Sequence, residues 1–248
     1  MELLSTSRIL KRLDAFLETN DYAGAEKHIL HWIDEARCHR DQRIELLLQN
    51  ELAGLYRKIG CQSGAMHAVQ DALQLVNNMK IDDNVGAGTT YLNCATVYQA
   101  FGYPEEALPL FERALNVYGQ SLSPTDPRCG GLYNNMATTL VTLRRFTDAY
   151  HYYAKAINIM GEQGRWLEVA MTYLNIASAK EAENGLLEAE PAIEYLLDKA
   201  AELLDAHEER HGYYAFVCEK CASVYGYYGR FVYKNTLLKR AEEIYAGH

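Results

Sequence analysis

The chain has 248 residues, a hydrophobic share of 49% and 19 tyrosines, ample apolar material for a core, and it allows one domain or two. Its net charge of −9 argues against nucleic acid or an anionic membrane as a primary partner. No apolar run is long enough to cross a bilayer, and the opening MELLSTSRILKRLDAF alternates apolar with charged residues, so neither a membrane anchor nor a cleavable leader is expected.

In chain order, residues 5–18 predict a first helix, capped by Ser5 or Thr6, with Ile9, Leu13, Phe16 and Leu17 as its apolar stripe. Asn20-Asp21 turns the chain into a second helix over 22–37, with Ala25, Ile29, Trp32, Ile33 and Ala36 inward. Cys38 to Asp41 reads as a loop. A second pair runs from about Gln42 to Met79, and Lys80–Gly88 reads as a polar loop. A third pair follows to Leu122. In it Tyr91, Cys94, Ala95 and Tyr98 share one helix face, Gly102 breaks the pattern, and Pro104 opens the next helix, where its missing N–H is not needed. The fourth pair spans Gly131 to Met160. The fifth begins at Arg165, turns at Asn184-Gly185 and ends near Ala206. The sixth has helices near His211–Tyr228 and Phe231–Ala246. The last helix carries a wide apolar stripe: Val232, Leu237, Leu238, Ala241, Ile244 and Tyr245. Any part of it left uncovered offers self-association through the terminal helices as an outlet.

The pairs align on the small residue of each first helix. Ala53, Ala95, Ala137, Ala177 and Ala222 correspond, at spacings of 42, 42, 40 and 45. The turn residue recurs as Gly60, Gly102, Arg144, Asn184 and Gly229, and the second-helix alanine as Ala65, Ala107, Ala149 and Ala189, with Lys234 a departure. A hairpin of this size cannot bury both its faces alone, so it must stack on its neighbours. With its alanine pairs, glycine turns and period, this pattern resembles the tetratricopeptide repeat family. The long period, the Glu106-Ala107-Leu108-Pro109-Leu110 and Glu188-Ala189-Glu190-Pro191 openings and the Ser123-Pro124-Thr125-Asp126-Pro127 loop are similar to its kinesin-light-chain type. The resemblance covers roughly residues 43–245. It implies an all-α fold, a right-handed solenoid of about six hairpins. Residues 1–40 are expected to form a degenerate first hairpin that caps the array, and residues 41–248 the remaining five.

The resemblance also places the first helices along a concave groove, where the family uses asparagine to hold a ligand's backbone. Asn93, Asn135 and Asn175 occupy one equivalent position, two residues before the alanine. Thr96, Thr138 and Ser178 follow three residues later, and Thr89, Asn134 and Gln99 add polar capacity. An amide offers both a donor and an acceptor to a peptide unit, so the row is expected to clamp an extended segment. The competing expectation is that these asparagines tie helices to one another. A basic clamp for acidic tails would need cations in the groove, and Arg57, Lys58 and Lys220 lie outside the Asn93–Asn175 row.

Residues 181–210 hold ten acids against Lys199 and Arg210. A solvated helix face and a docking patch for a basic partner are the two readings of this cluster. His207-Glu-Glu-Arg-His211 matches HExxH, which on a helix places two imidazoles toward zinc with Glu208 as base. Here it falls at an inter-repeat junction, has charged residues between the histidines and lacks a third ligand. Cys218-Glu-Lys-Cys221 is half a zinc site without a second half, and both cysteines fit packing positions. Cys94 likewise reads as a small core residue in a reduced compartment. The expectation is therefore a cytoplasmic, non-catalytic scaffold that binds a protein or peptide and needs no cofactor or metal. A peptide-sensing regulator acting through a partner, a zinc hydrolase and a mainly dimerising structural role are the alternatives.

Overall fold

Most helices, within a hairpin or between hairpins, end on a turn that one residue makes possible. At Asn20, Arg40, Gly60, Lys80, Gly102, Arg144, Gly164 and Gly229 the backbone takes a positive φ between 52° and 82°. The next residue then donates its N–H back to a carbonyl five residues earlier, as in Cys61 to Tyr56, Tyr103 to Tyr98 and Arg230 to Tyr225, each at 2.8–2.9 Å. This is the Schellman closure, which satisfies helix carbonyls that would otherwise be orphaned.

A computed structural model describes residues 5–247; the first four residues of the sequence read above, and His248, lie outside the described residues. Twelve α-helices fall within them: α1 (Thr6–Glu18), α2 (Tyr22–His39), α3 (Gln42–Ile59), α4 (Gln62–Met79), α5 (Val85–Ala100), α6 (Pro104–Ser121), α7 (Pro127–Thr142), α8 (Phe146–Glu162), α9 (Trp166–Asn184), α10 (Leu186–Ala206), α11 (Gly212–Tyr227) and α12 (Phe231–Ala246). Sequential helices pair as six antiparallel hairpins. The chain forms two compact units, the first ending at Ser123 and the second beginning at Pro124, each with three hairpins. In the first unit α2 packs on α3, and α5 packs on both α3 and α4. In the second, α9 packs on α7 and α8, and α11 on α9.

The aligned alanines are the close-approach points. Ala95, Ala137 and Ala177 on the first helices and Ala65, Ala107 and Ala149 on the second are fully buried. A second small position, seven residues upstream, was not read from the sequence. An added Cβ at Gly88 would meet the Tyr118 ring at 2.8 Å, and at Gly130 the Met160 side chain at 3.0 Å. Glycine thus lets the starts of α5 and α7 lie against the large residue near the end of the partner helix. The departure at Lys234 has its own compensation: Gly226 on α11 sits under the Lys234 stem, whose Cδ would be 2.8 Å from an added Cβ.

Several boundaries differ from expectation for local reasons. The loop expected over Lys80–Gly88 ends early, because the Asn84 side chain accepts from the Ala87 N–H at 2.8 Å and starts α5 at Val85. Asp126 caps α7 in the same way, with Pro127 at its first position, so this helix begins four residues before Gly131. α2 continues through His39, which places Cys38 on a helix. The fifth turn is made by Gly185, at φ 82° and ψ 158°, a conformation essentially confined to glycine, while Asn184 remains helical.

Candidate binding surface

In the first unit, the polar face of α5 is tied to α3. Asn93 donates its amide to Asn50 Oδ1 at 3.1 Å, and Asn50 donates to Thr90 Oγ1 at 3.1 Å and to the Leu46 carbonyl at 2.8 Å. The second unit repeats the arrangement between α7 and α9. Asn175 donates to Asn134 Oδ1 at 3.0 Å, and Thr172 donates to the same oxygen at 3.2 Å. Each unit therefore uses an asparagine three residues before the aligned alanine to receive one from the next first helix. Asn50, Thr90 and Thr172 were missed in the sequence. Their signal was there, since Asn50 and Asn134 hold the same place relative to Ala53 and Ala137.

The remaining candidates line the same faces. Asn93, Asn134, Asn135 and Asn175 are half-buried, as are Thr96, Gln99 and Thr138, and Ser178 is exposed. The hydroxyls of Thr96, Thr138 and Ser178 each bond the carbonyl four residues back, at 2.8, 3.0 and 3.3 Å. Thr138 also meets the Tyr153 hydroxyl at 3.1 Å, and Thr89 meets that of Tyr118 at 2.9 Å. Asn134 reaches Asn135 Oδ1 at 3.4 Å. Asn93 and Asn175 thus each bond the preceding first helix of their unit. For Asn93 and Asn175 the bond uses one N–H, and neither amide oxygen has a partner among the described residues. The corresponding place on α3 is Glu51, whose carboxyl burial pushes above its ordinary range, with Asp14 adding repulsion. On α11 it is Lys220, whose ammonium lies over the Phe216 ring at 5.5 Å.

Half of the acidic stretch is engaged with neighbouring helices, and the rest, Glu188, Glu190, Glu202, Glu208 and Glu209, is exposed. Glu181 accepts from the Tyr227 and Tyr228 hydroxyls at 2.6 and 2.8 Å. Glu183 accepts from Tyr150 at 2.7 Å, which holds its carboxyl below the usual range. Arg230 pairs with Glu194 and, at 3.2 Å, with Asp198. Asp205 takes Arg240 at 2.6 Å and Tyr233 at 2.9 Å. Tyrosine hydroxyls complete the seam by donating to α10 carbonyls, Tyr225 to Leu197 at 2.8 Å and Tyr214 to Leu204 at 3.1 Å.

The metal-like motifs are not arranged for metal. Residues 207–211 form the connection between α10 and α11, so His207 and His211 do not share a helix face. The His207 ring stacks on Tyr214, with centroids 5.7 Å apart and planes at 4°. His211 Nδ1 accepts the Tyr213 N–H at 3.3 Å and caps α11. Cys218 and Cys221 are buried, and burial pushes the Cys221 thiol up to about 12. The described residues contain no group of three or more histidines, cysteines or carboxylates placed to share an ion. No described helix is long and apolar enough to cross a membrane.

Comparison with known proteins agrees with this geometry. A tetratricopeptide-repeat family model matches residues 88–128, the segment that contains α5, α6 and the following loop. A TPR repeat-containing protein of Schizosaccharomyces pombe is 26% identical over 165 residues, covering 65% of this chain and 43% of the relative, so the chain spans less than half the length of that protein. Among solved structures, BtubC (BKLC) from P. vanneervenii is 19% identical, with a TM-score of 0.61 and 91% of each chain covered. A Podospora anserina protein described as a kinesin light chain with nearly identical TPR-like repeats is 19% identical, with a TM-score of 0.55, covering 82% of this chain and 95% of its own. The Rap conjugation gene regulator of plasmid pLS20, solved with the Phr* peptide, is 17% identical, with a TM-score of 0.65, covering 98% of this chain and 64% of its own. At these identities the structural likenesses bear on the fold, and the fold is the same. Residues 88–128 match the tetratricopeptide repeat, and the twelve described helices in paired hairpins, with buried alanines at the repeat positions, share the fold of solved tetratricopeptide-repeat structures, kinesin-light-chain-like repeats among them.

Proposed function

We propose that the protein is a non-catalytic recognition module that holds an extended segment of a partner protein on the polar faces of its first helices. The observation that carries this reading is the half-used amide. Asn93 on α5 and Asn175 on α9 are each fixed by one inter-helix bond and keep an oxygen and a second N–H for another partner. A bond that fixes an amide's rotamer also aims it, so the structural and ligand roles reinforce each other. An amide so oriented can accept a peptide N–H and donate to a peptide carbonyl. Asn135, Asn134, Thr96, Thr138, Ser178 and Gln99 supply further polar contacts on the same helices. The fold of the Rap regulator, described in complex with a peptide, supports the same class of ligand. The connecting-loop position of His207 and His211 and the burial of Cys218 and Cys221 favour recognition over hydrolysis.

The test is affinity capture from native lysate with three proteins: wild type, Asn50→Ala and the Asn93→Ala/Asn135→Ala/Asn175→Ala variant. Asn50→Ala removes the inter-helix acceptor and leaves the Asn93 amide in place. A partner held by wild type, held more weakly by Asn50→Ala, which frees the Asn93 amide from the bond that aims it, and lost by the triple variant, with helicity unchanged, is the expected outcome. A partner retained by all three contradicts the proposal.

A further inference from the structure

The second helices bury two fixed places, four and eleven residues after the aligned alanine. In α4 these are Val69 and Val76, and in α8 Tyr153 and Met160, each at most 4% exposed. The same places are buried in α6 and α10. In α12, counted from Lys234, they are Leu238 and Tyr245, which are 40% and 47% exposed. α5 packs against α4 and α9 against α8, whereas among the described residues no following hairpin lies on α12. α12 thus presents the stacking face that the preceding second helices bury.

Around Leu238 this face reads nearly the same in both directions. Seven residues before it stands Phe231 and seven after it Tyr245, both aromatic and exposed. Four before it stands Lys234 and four after it Glu242, of opposite charge. At about 100° per residue these spacings keep all five within about 40° of Leu238 on the helix. Lys234 and Glu242 have no hydrogen bond or ion pair among the described residues. The other cations of this region are taken: Arg230 by Glu194 and Asp198, Lys239 by Glu243, and Arg240 by Asp205. About 12 Å of helix separates Lys234 from Glu242, too far for them to pair within one chain.

We infer that this face binds a second copy of the chain, with the two α12 helices packed antiparallel about a two-fold axis at Leu238. A two-fold contact pairs residue i with j and j with i. Leu238 then meets its own counterpart at the centre. Phe231 of each copy meets Tyr245 of the other, and Lys234 of each copy meets Glu242 of the other. A different helix would have to present this order in reverse to match it; a second copy does so by symmetry. The contact lies apart from the asparagine row and stands whether or not that row holds a ligand.

The experiment is sedimentation velocity on the full chain across a dilution series, where a reversible monomer–dimer equilibrium is expected. Leu238→Glu sets two carboxylates face to face at the axis and should weaken the dimer at least about tenfold, with helicity unchanged. Lys234→Glu and Glu242→Lys each set like charges opposite one another and should each weaken it by a similar factor of about ten. Mixed together, these two variants should recover a dimer close to wild type in strength, because both pairs across the axis are then of opposite charge again. Asn93→Ala/Asn135→Ala/Asn175→Ala should leave the dimer unchanged. A chain that stays monomeric at every concentration, a dimer that Leu238→Glu leaves intact, or two charge variants that mix without recovery would overturn the inference.

Discussion

The two units share a repeat but fasten their hairpins differently. In the first, α3 and α5 are joined by apolar packing and a short amide chain, Asn93 to Asn50 to Thr90. Its charged contacts also cross between helices: Arg37 on α2 meets Glu45 on α3 at 2.6 Å and Asp71 on α4 at 3.0 Å, Tyr56 donates to Glu26 at 2.7 Å, and Arg113 stacks on the Tyr91 ring at 4.0 Å. The second unit has the same amide link between α7 and α9 and adds a seam of tyrosines, arginines and carboxylates that binds α11 and α12 to α9 and α10. Repeats can therefore keep one packing scheme while the outer contacts vary. At Lys180 polar contacts take over, with its ammonium over the Tyr150 ring at 3.9 Å beside Glu183.

Each unit contains one of the two tryptophans, Trp32 or Trp166, so single-tryptophan variants can report on them separately. The largest effect is expected from Phe111→Ala, which hollows the first unit's core and costs about 3–5 kcal/mol; thermal melts should show Trp32 losing its native signal first. Equal loss at both reporters would mean that the units do not melt independently. Asp205→Ala should cost less, about 1–2 kcal/mol after discounting for exposure, because it strips Tyr233 and Arg240 of their shared partner. That loss should appear at Trp166 and not at Trp32.

Solution pH sharpens the contrast. The Glu183 carboxyl is held low by the Tyr150 hydroxyl, so its contribution is present above the ordinary carboxylate range and is lost as pH falls through its folded value. Tyr228 is pushed up by burial and then by Glu181, and Tyr213 reaches about 12 through burial and Glu168. Their contributions are complete below the ordinary tyrosine value and are lost as pH rises toward the folded one. The second unit should thus loosen before the first in acid, with Trp166 moving ahead of Trp32, whereas in alkali both should loosen, because burial and then Glu26 raise Tyr56 of the first unit to about 12 as well. Simultaneous movement in acid would show that the seam adds nothing. The smallest effects are expected at the shared amide link. Asn50→Ala and Asn134→Ala should each cost about 1 kcal/mol, by chemical denaturation, and by similar amounts in the two units.

Much of this was legible in the sequence because it repeats. Ala53, Ala95 and Ala137 mark the close approaches, and Gly60, Gly102 and Gly229 mark the turns, since both tasks restrict the residue type. Arg40, Lys80 and Arg144 make the same left-handed turn without glycine, so only the surrounding pattern could point to them. Gly185 shifted the fifth turn by one residue because α9 runs longer than its counterparts. Asn93, Asn135 and Asn175 were found on the first helices, but the partners of Asn93 and Asn175 lie about one repeat upstream, and pairing across that distance depends on how neighbouring helices align. The acidic seam was hidden for the same reason: Glu181 and Tyr227 are remote in sequence and touch only once α11 has packed on α9.

The central claim is that the outward halves of the asparagine amides hold a partner segment. The most direct measurement follows the side-chain amide resonances of Asn93, Asn135 and Asn175 while the captured segment is titrated in. The account predicts that Asn93 and Asn175 shift on binding, while Asn50, turned inward as an acceptor, stays in place. Side-chain amides that remain still while the segment binds elsewhere would contradict it.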